Sequence, residues 1–237
     1  TDTFSVMQQA LRETITRLKK ANDELEDYSR TLEEKVQDRT AELRERNSQL
    51  AKAMQNVKTL ALIGRHITST LRLEEILATV YESVNRLLDA TSFSIMVLNE
   101  EEHRIECKLA IENGQRLPEF SYSADDKNRF AVWCIDHREP IFINDVDLEY
   151  SKYIATRLPP KVGQYARSLI YLPLVVGDKT VGALSAQSFR RNAYTDTHLD
   201  ILNNIASYTA IALDNAFAYD RINRAHEQLK NAQAQLV

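Results

Sequence analysis

The chain has 237 residues, 30 Lys and Arg against 34 Asp and Glu, and a formal charge of -4, so no overall basic field exists to hold nucleic acid. Its two cysteines, Cys107 and Cys134, form no CxxC pair and are too few for a disulfide framework, which excludes a secreted disulfide-rich protein and suits a reducing, cytoplasmic setting. The longest apolar stretch, around residues 169–176, falls far short of the roughly 20 residues of a membrane span, so no membrane contact is expected of it.

All five Gly lie between residues 64 and 182 and all five Pro between 118 and 173. Both flanks lack helix breakers, which predicts helix, globular centre, helix. The chain starts at Thr1 and stops inside a helical pattern, so it is expected to be part of a longer protein.

In the N-terminal flank, residues 1–58, Leu11, Leu18, Leu25 and Leu32 recur every seventh position. A second series offset from them runs Ile15, Asn22, Ser29, Val36, Leu43, Leu50 and Val57. These behave as the d and a positions of a heptad repeat, which predicts a coiled coil and a homodimer. Asn22 at an a position costs stability but fixes register, because its amide is satisfied by its symmetry mate. Arg39 and Arg46 fall at d positions, so the middle of the seam is expected to be weak. Such a coil of about 50 residues extends roughly 75 Å at about 1.5 Å per residue. Residues 32–43, with the triplet Asp38-Arg39-Thr40, resemble the signalling helix of bacterial sensor proteins. That resemblance implies a parallel dimeric coil between a sensor and an output domain.

From Leu60 to Leu88 the spacing is helical, interrupted near Ser69-Thr70-Leu71-Arg72, where a Ser/Thr cap and the acidic pair Glu74-Glu75 predict the start of a second helix. Strands are predicted over 93–98 and 104–111, turning at Asn99–His103 and closed by Asn113-Gly114. A short helix is expected over 126–137, then a buried strand at 141–143 and a polar loop containing Pro159-Pro160. Residues 168–176 and 180–188 form a hairpin through Gly177-Asp178-Lys179. The closing helix runs from Thr195 past Asp220, with Thr195 as N-cap, and Ile222, Leu229 and Leu236 resume seven-residue spacing beyond it.

This order predicts an α+β fold, an antiparallel sheet with the terminal helices packed on one face. The short helix and the loops 146–167 then cover the other, a natural place for a small-molecule pocket. Residues 59–214 resemble a GAF domain, through 69–77, through Trp133-Cys134-Ile135-Asp136-His137-Arg138-Glu139-Pro140 on to Asn144-Asp145, and through 168–174 with Gly182-Ala183-Leu184-Ser185. With the upstream coil, the arrangement is similar to the sensor region of GAF-containing diguanylate cyclases, with adenylate cyclases and histidine kinases as related arrangements. The resemblance implies a GAF-like sheet flanked by coiled-coil helices. Residues 215–237 would then lead toward an output domain.

Catalytic chemistry is not expected within the chain. His66, His103, His137, His198 and His226 show no zinc-ligand spacing, and there is neither a Gly-rich phosphate loop nor a GGDEF sequence. Both cysteines sit in apolar runs rather than in the exposed setting a reactive thiolate needs. The spacing Asp145-x-Asp147-x-Glu149 resembles a calcium loop without its glycine, and a solvated loop is the simpler reading. The GAF resemblance places Phe130, Trp133, Asn144, Asp145, Tyr165, Arg167, Ser168, Tyr171 and Gln187 on the segments that frame the cavity, as candidate ligand-binding residues. It leaves the cofactor unknown and the ligand unnamed, cyclic nucleotides included, although the Asn-Lys and Phe-x-x-x-Asp-Glu pattern of cyclic-nucleotide relatives is absent. Two readings stay open: a ligand-binding sensor, and a ligand-free dimerisation module whose Trp and Tyr side chains fill the cavity. A polar-lined void distinguishes the first from the second.

Overall fold

The computed structural model describes residues 2–234; the heptad position Leu236 lies outside them. The chain divides into two units, Thr1–Val57 and Lys58–Val237. In the first, residues 2–57 form a single helix, part of α1 (Asp2–Ile67). Leu11, Ile15, Leu18, Leu25, Leu32, Val36, Leu43, Leu50 and Val57 are all more than half exposed along it. Glu42 takes both d-position arginines, Arg39 and Arg46, at 2.7 Å each. These pairs solvate the helix and contribute about 0.3–0.5 kcal/mol apiece.

The second unit is α+β. After α2 (Leu73–Leu87) come β1 (Ser92–Asn99), β2 (Arg104–Glu112), β3 (Gln115–Arg116) and β4 (Phe120–Ser123). Then follow α3 (Phe130–His137), β5 (Ile141–Ile143), α4 (Val146–Glu149), β6 (Ser168–Val176), β7 (Lys179–Ser188) and α5 (Asp196–Ala234). All strand pairs are antiparallel, in the order β3-β2-β1-β7-β6-β5, with β4 on the same edge of β2 as β3. The sequence reading missed β3 and β4: they are too short for alternation to register and pair only because β2 offers them an edge.

Two local expectations need correction. The N-cap of α2 is Arg72, without a side-chain bond; Thr70 instead donates to the Glu75 carboxylate at 2.7 Å and accepts from the Arg72 N–H at 3.1 Å. The short central helix begins at Phe130, not Asp126. Asp126 draws the chain into a turn, accepting from the Asn128 N–H at 3.3 Å and from Arg129 Nε at 3.0 Å. At Thr195 the cap holds: its hydroxyl accepts from the His198 N–H at 3.4 Å.

The sheet has a core on each face. On one, α2 and α5 pack over Phe93, Ile95, Ile170, Leu172 and Leu184, all fully buried. On the other lie Met96, Ile105, Cys107, Leu169 and Ala183, beneath α3 and the loops. A bulge decides which side chains of β2 reach which face. The register shifts between Ile95, opposite Leu109, and Met96, opposite Cys107, leaving Lys108 as the extra residue. Cys107 therefore faces the loops while Leu109, two residues on, faces the helices. Beside it, β7 approaches β1 so closely that a Cβ on Gly182 would stand 1.9 Å from the Met96 carbonyl oxygen, so only glycine fits there.

Candidate functional site

The loop-covered face holds a cavity of about 140 Å³. Its floor is the sheet, where strand register assembles a polar strip that sequence distance conceals. Ser94 pairs with Ser185 across β1 and β7, and Ser185 with Tyr171 across β7 and β6. The two serine hydroxyls lie 2.7 Å apart, and the Gln187 amide donates to Ser185 Oγ at 3.0 Å and to the Tyr171 hydroxyl at 3.3 Å. Burial pushes the Tyr171 phenol up to about 12, against an opposing hydrogen bond with Ser185, so it stays a neutral hydroxyl at physiological pH. Burial raises Tyr122 as well, and its hydroxyl donates to Met96 Sδ at 3.3 Å.

One wall comes from α3 and the turn before it. Phe130 packs against Tyr171 with ring centroids 5.9 Å apart. The Arg129 guanidinium lies 5.5 Å from the Tyr122 ring centroid, donates from Nε to Asp126 and reaches the Pro159 carbonyl from Nη1 at 3.0 Å. Only 15% of its side chain is exposed. The roof is the segment 154–166, which is held by side chains rather than by a ladder. Asn128 accepts from the Thr156 N–H at 2.9 Å and Glu112 from the Gln164 N–H at 2.9 Å. Gly163 adopts φ +76, and a Cβ there would meet the Glu112 carboxylate at 2.2 Å. Arg157 lies 4.5 Å above the Tyr165 ring and bonds Asp147 at 2.5 Å and the Ala166 carbonyl at 3.0 Å. Among the described residues, the lining includes Arg129, Arg157 and Lys161 but neither Asp nor Glu.

Of the residues expected at the site, Phe130, Tyr165, Tyr171 and Gln187 line this cavity. Arg167 lies in an open hollow beside it, shared with Arg157, Tyr165 and Phe189, and bonds Asp147 at 3.0 Å. The other four stand outside the lining. Trp133 is half-buried, stacked on His137 at 4.2 Å and edge-on to Tyr153 at 4.8 Å. Asn144 accepts from the Tyr194 N–H at 3.4 Å. Asp145 caps α4 and pairs with Arg191 at 2.9 Å, and Ser168 donates to the Arg190 carbonyl at 2.7 Å.

The acidic triplet is committed to internal bonds. Asp147 takes Arg191, Arg157 and Arg167, and the hydrogen bonds from Arg191 and Arg157 hold its carboxyl below the usual range. Glu149 pairs with Lys152 at 2.8 Å. Both cysteines are buried, and burial pushes the Cys107 thiol up to about 12 and raises Cys134 also. The sequence reading missed Ser94, Tyr122 and Arg129. The signal for Ser94 was a lone hydroxyl inside an otherwise apolar strand; for Arg129 there was none, since only the roof loop makes it a wall residue.

This architecture, a sheet with helices on one face and a roofed cavity on the other, is that of a known module. The family profile described as GAF domain matches residues 70–214. The chain belongs to the GAF domain family. Among curated proteins, this GAF domain chain is 25% identical over 181 residues to the formate hydrogenlyase transcriptional activator FhlA of Escherichia coli, covering 76% of this chain. It spans about a quarter of that relative's length, 26%. Solved structures of the same fold include the GAF domain of an Acinetobacter phosphoenolpyruvate-protein phosphotransferase. That match has TM-score 0.58 and 17% identity, over 70% of this chain and 95% of that one. The free methionine-R-sulfoxide reductase of Neisseria meningitidis, solved with its substrate, is also similar. There the TM-score is 0.56 and the identity 14%, over 71% of this chain and 93% of that one. Among the described residues, no helix is long and apolar enough to cross a membrane, and no group of three or more His, Cys, Asp or Glu could hold a metal ion.

Proposed function

We propose that this chain is the regulatory sensor region of a cytoplasmic signalling protein, a GAF domain that binds a small ligand and passes the signal on through its flanking helices. The cavity carries this reading. A module that only coupled helices would fill the space with its own side chains, whereas here about 140 Å³ stays open over a strip of hydroxyl and amide groups. The burial of both thiols supports a non-catalytic role, because thiol chemistry needs an accessible thiolate.

The working unit in this reading is a parallel homodimer. Seven-residue spacing, an exposed apolar seam and Asn22 at an a position favour a second copy of the chain as the partner of α1. Sedimentation equilibrium of the purified chain tests it: a dimer is expected at micromolar concentration, and a monomer at high concentration refutes it. The curated relatives are transcriptional activators, which favours a transcription-regulating output over the diguanylate cyclase expected from the sequence. Thermal-shift screening against small metabolites tests ligand binding. A ligand at a hundred times its dissociation constant adds about 2.7 kcal/mol. Loss of the shift in Tyr171→Phe together with Gln187→Leu assigns it to the cavity, and no shift across a broad panel favours the ligand-free coupling module.

A further inference from the structure

Given the sensor function proposed above, the cavity narrows the class of ligand. We propose that it takes a small organic acid with about the bulk of one aromatic ring, its carboxylate on Arg129 and its apolar body against Tyr122, Phe130 and Tyr171.

Size is the first argument. An apolar cavity of about 150 Å³ accepts one benzene ring, and this one is about 140 Å³. A cyclic nucleotide is several times too large unless the roof moves away. Charge is the second. Three basic side chains and, among the described residues, no carboxylate line the space, so an ammonium ligand would be buried without a counter-charge while an anion finds one. Arg129 is the best placed of the three. Its side chain is nearly buried, and Asp126 and the Tyr122 ring fix the guanidinium. Lys161 is exposed, and Arg157 has both terminal nitrogens committed, Nη1 to Asp147 and Nη2 to the Ala166 carbonyl. Arg129, by contrast, meets Asp126 through Nε and the Pro159 carbonyl through Nη1, with no partner at Nη2 among the described residues.

Arg129 also links occupancy to the roof. Its Nη1 donates to a neutral acceptor, the Pro159 carbonyl at 3.0 Å. The carbonyl offers the guanidinium only a dipole, whereas a carboxylate offers a full opposite charge in fork geometry, so a bound acid displaces that carbonyl and frees the roof at Pro159-Pro160. Ligand charge is thereby converted into a change of loop position. The Gln187 amide and Ser94 hydroxyl remain to read a second polar group on the ligand.

The test uses the 237-residue chain and four probes in isothermal titration: sodium benzoate, benzamide, benzylamine and cyclic GMP. Benzoate is expected to bind at least tenfold tighter than benzamide or benzylamine, and Arg129→Gln to remove that preference, with Arg129→Lys restoring part of it. The wild-type ratio of benzoate to benzamide carries the test by itself if Arg129→Gln fails to fold by circular dichroism. Equal or tighter binding of benzamide, benzylamine or cyclic GMP overturns the organic-acid class and leaves the sensor function standing. No binding by any probe up to about 10 mM overturns the organic-acid class, while the sensor function is decided separately by the metabolite screen described above.

Discussion

The two faces of the sheet are built from the same strands and yet are stabilised differently. The helix-covered face is closed by α2 and α5, whose periodic apolar residues meet Phe93, Ile95, Leu172 and Leu184, and the buried Thr209 hydroxyl turns back to its own helix at the Ile205 carbonyl. The loop-covered face is closed by the apolar residues of α3, such as Val132 and Ile135, and by the 154–166 segment. That segment is tethered by hydrogen bonds between side chains and its backbone: Arg129 to Pro159, Asn128 to Thr156, Glu112 to Gln164. Apolar packing is non-directional and dense, so it stabilises and rigidifies. Single polar tethers contribute about 1 kcal/mol each and break one at a time. One face therefore holds the fold, and the other is free to respond.

Core truncation is the strongest way to break that contrast. Phe93→Ala is expected to cost about 3–5 kcal/mol in urea unfolding, whereas Tyr165→Ala, on the exposed roof, costs less than about 1 kcal/mol. Similar losses from both would mean that the roof belongs to the same rigid core.

Acid provides the next test, at the point where the ends of β1 and β7 are joined. Asp89 is bonded by Thr91, by Ser188 at 2.8 Å and by Arg190 at 2.7 Å. Burial works against its ionised form, but these bonds outweigh it and hold the carboxyl at about 2 instead of 3.8. A depressed carboxyl stabilises the fold above its unfolded value and loses that contribution as pH falls through the folded one. About 1–2 kcal/mol, after allowance for solvent screening, should therefore disappear between about pH 4 and pH 2. In Asp89→Asn that part of the pH dependence should vanish from urea midpoints measured across the range.

Removing the Ser94 hydroxyl by Ser94→Ala is a smaller perturbation. Ser185 keeps its bond from Gln187, so stability should fall by only about 1 kcal/mol while ligand affinity at the floor changes. The thiols sharpen the comparison at the least cost to the protein. Cys107 and Cys134 both lie in the core of the loop-covered face, and Ellman's reagent should modify them at least a hundredfold more slowly in the native chain than in urea. Modification faster than global unfolding would report opening of that face alone.

Strong periodic signals made much of this legible. The seven-residue spacing of α1, the gap at 69–72 and the β6/β7 hairpin all stood out in residue order, because local chain geometry dictates the pattern. Of the four expected site residues that reach the cavity, Tyr171 and Gln187 do so from strands, where alternate residues share a face as Tyr171 does with Leu169, while Phe130 comes from α3 and Tyr165 from the roof. Trp133 and Asn144 looked equally suitable in sequence. The helix turn at 130–137 points Trp133 toward His137 and Tyr153, and Asn144 is taken by the backbone of Tyr194.

The sequence by itself determined the helical flanks, the α+β class and the β6/β7 hairpin, since each follows from near-neighbour periodicity and propensity. Tertiary structure decided the rest. The bulge at Lys108 turned Cys107 toward the loops, strand register brought Ser94, Ser185 and Tyr171 into one row, and the return of the 154–166 loop made Arg129 a wall. Those are contacts between residues far apart in the chain, and their geometry is set by sheet pairing and loop closure, which no local pattern encodes.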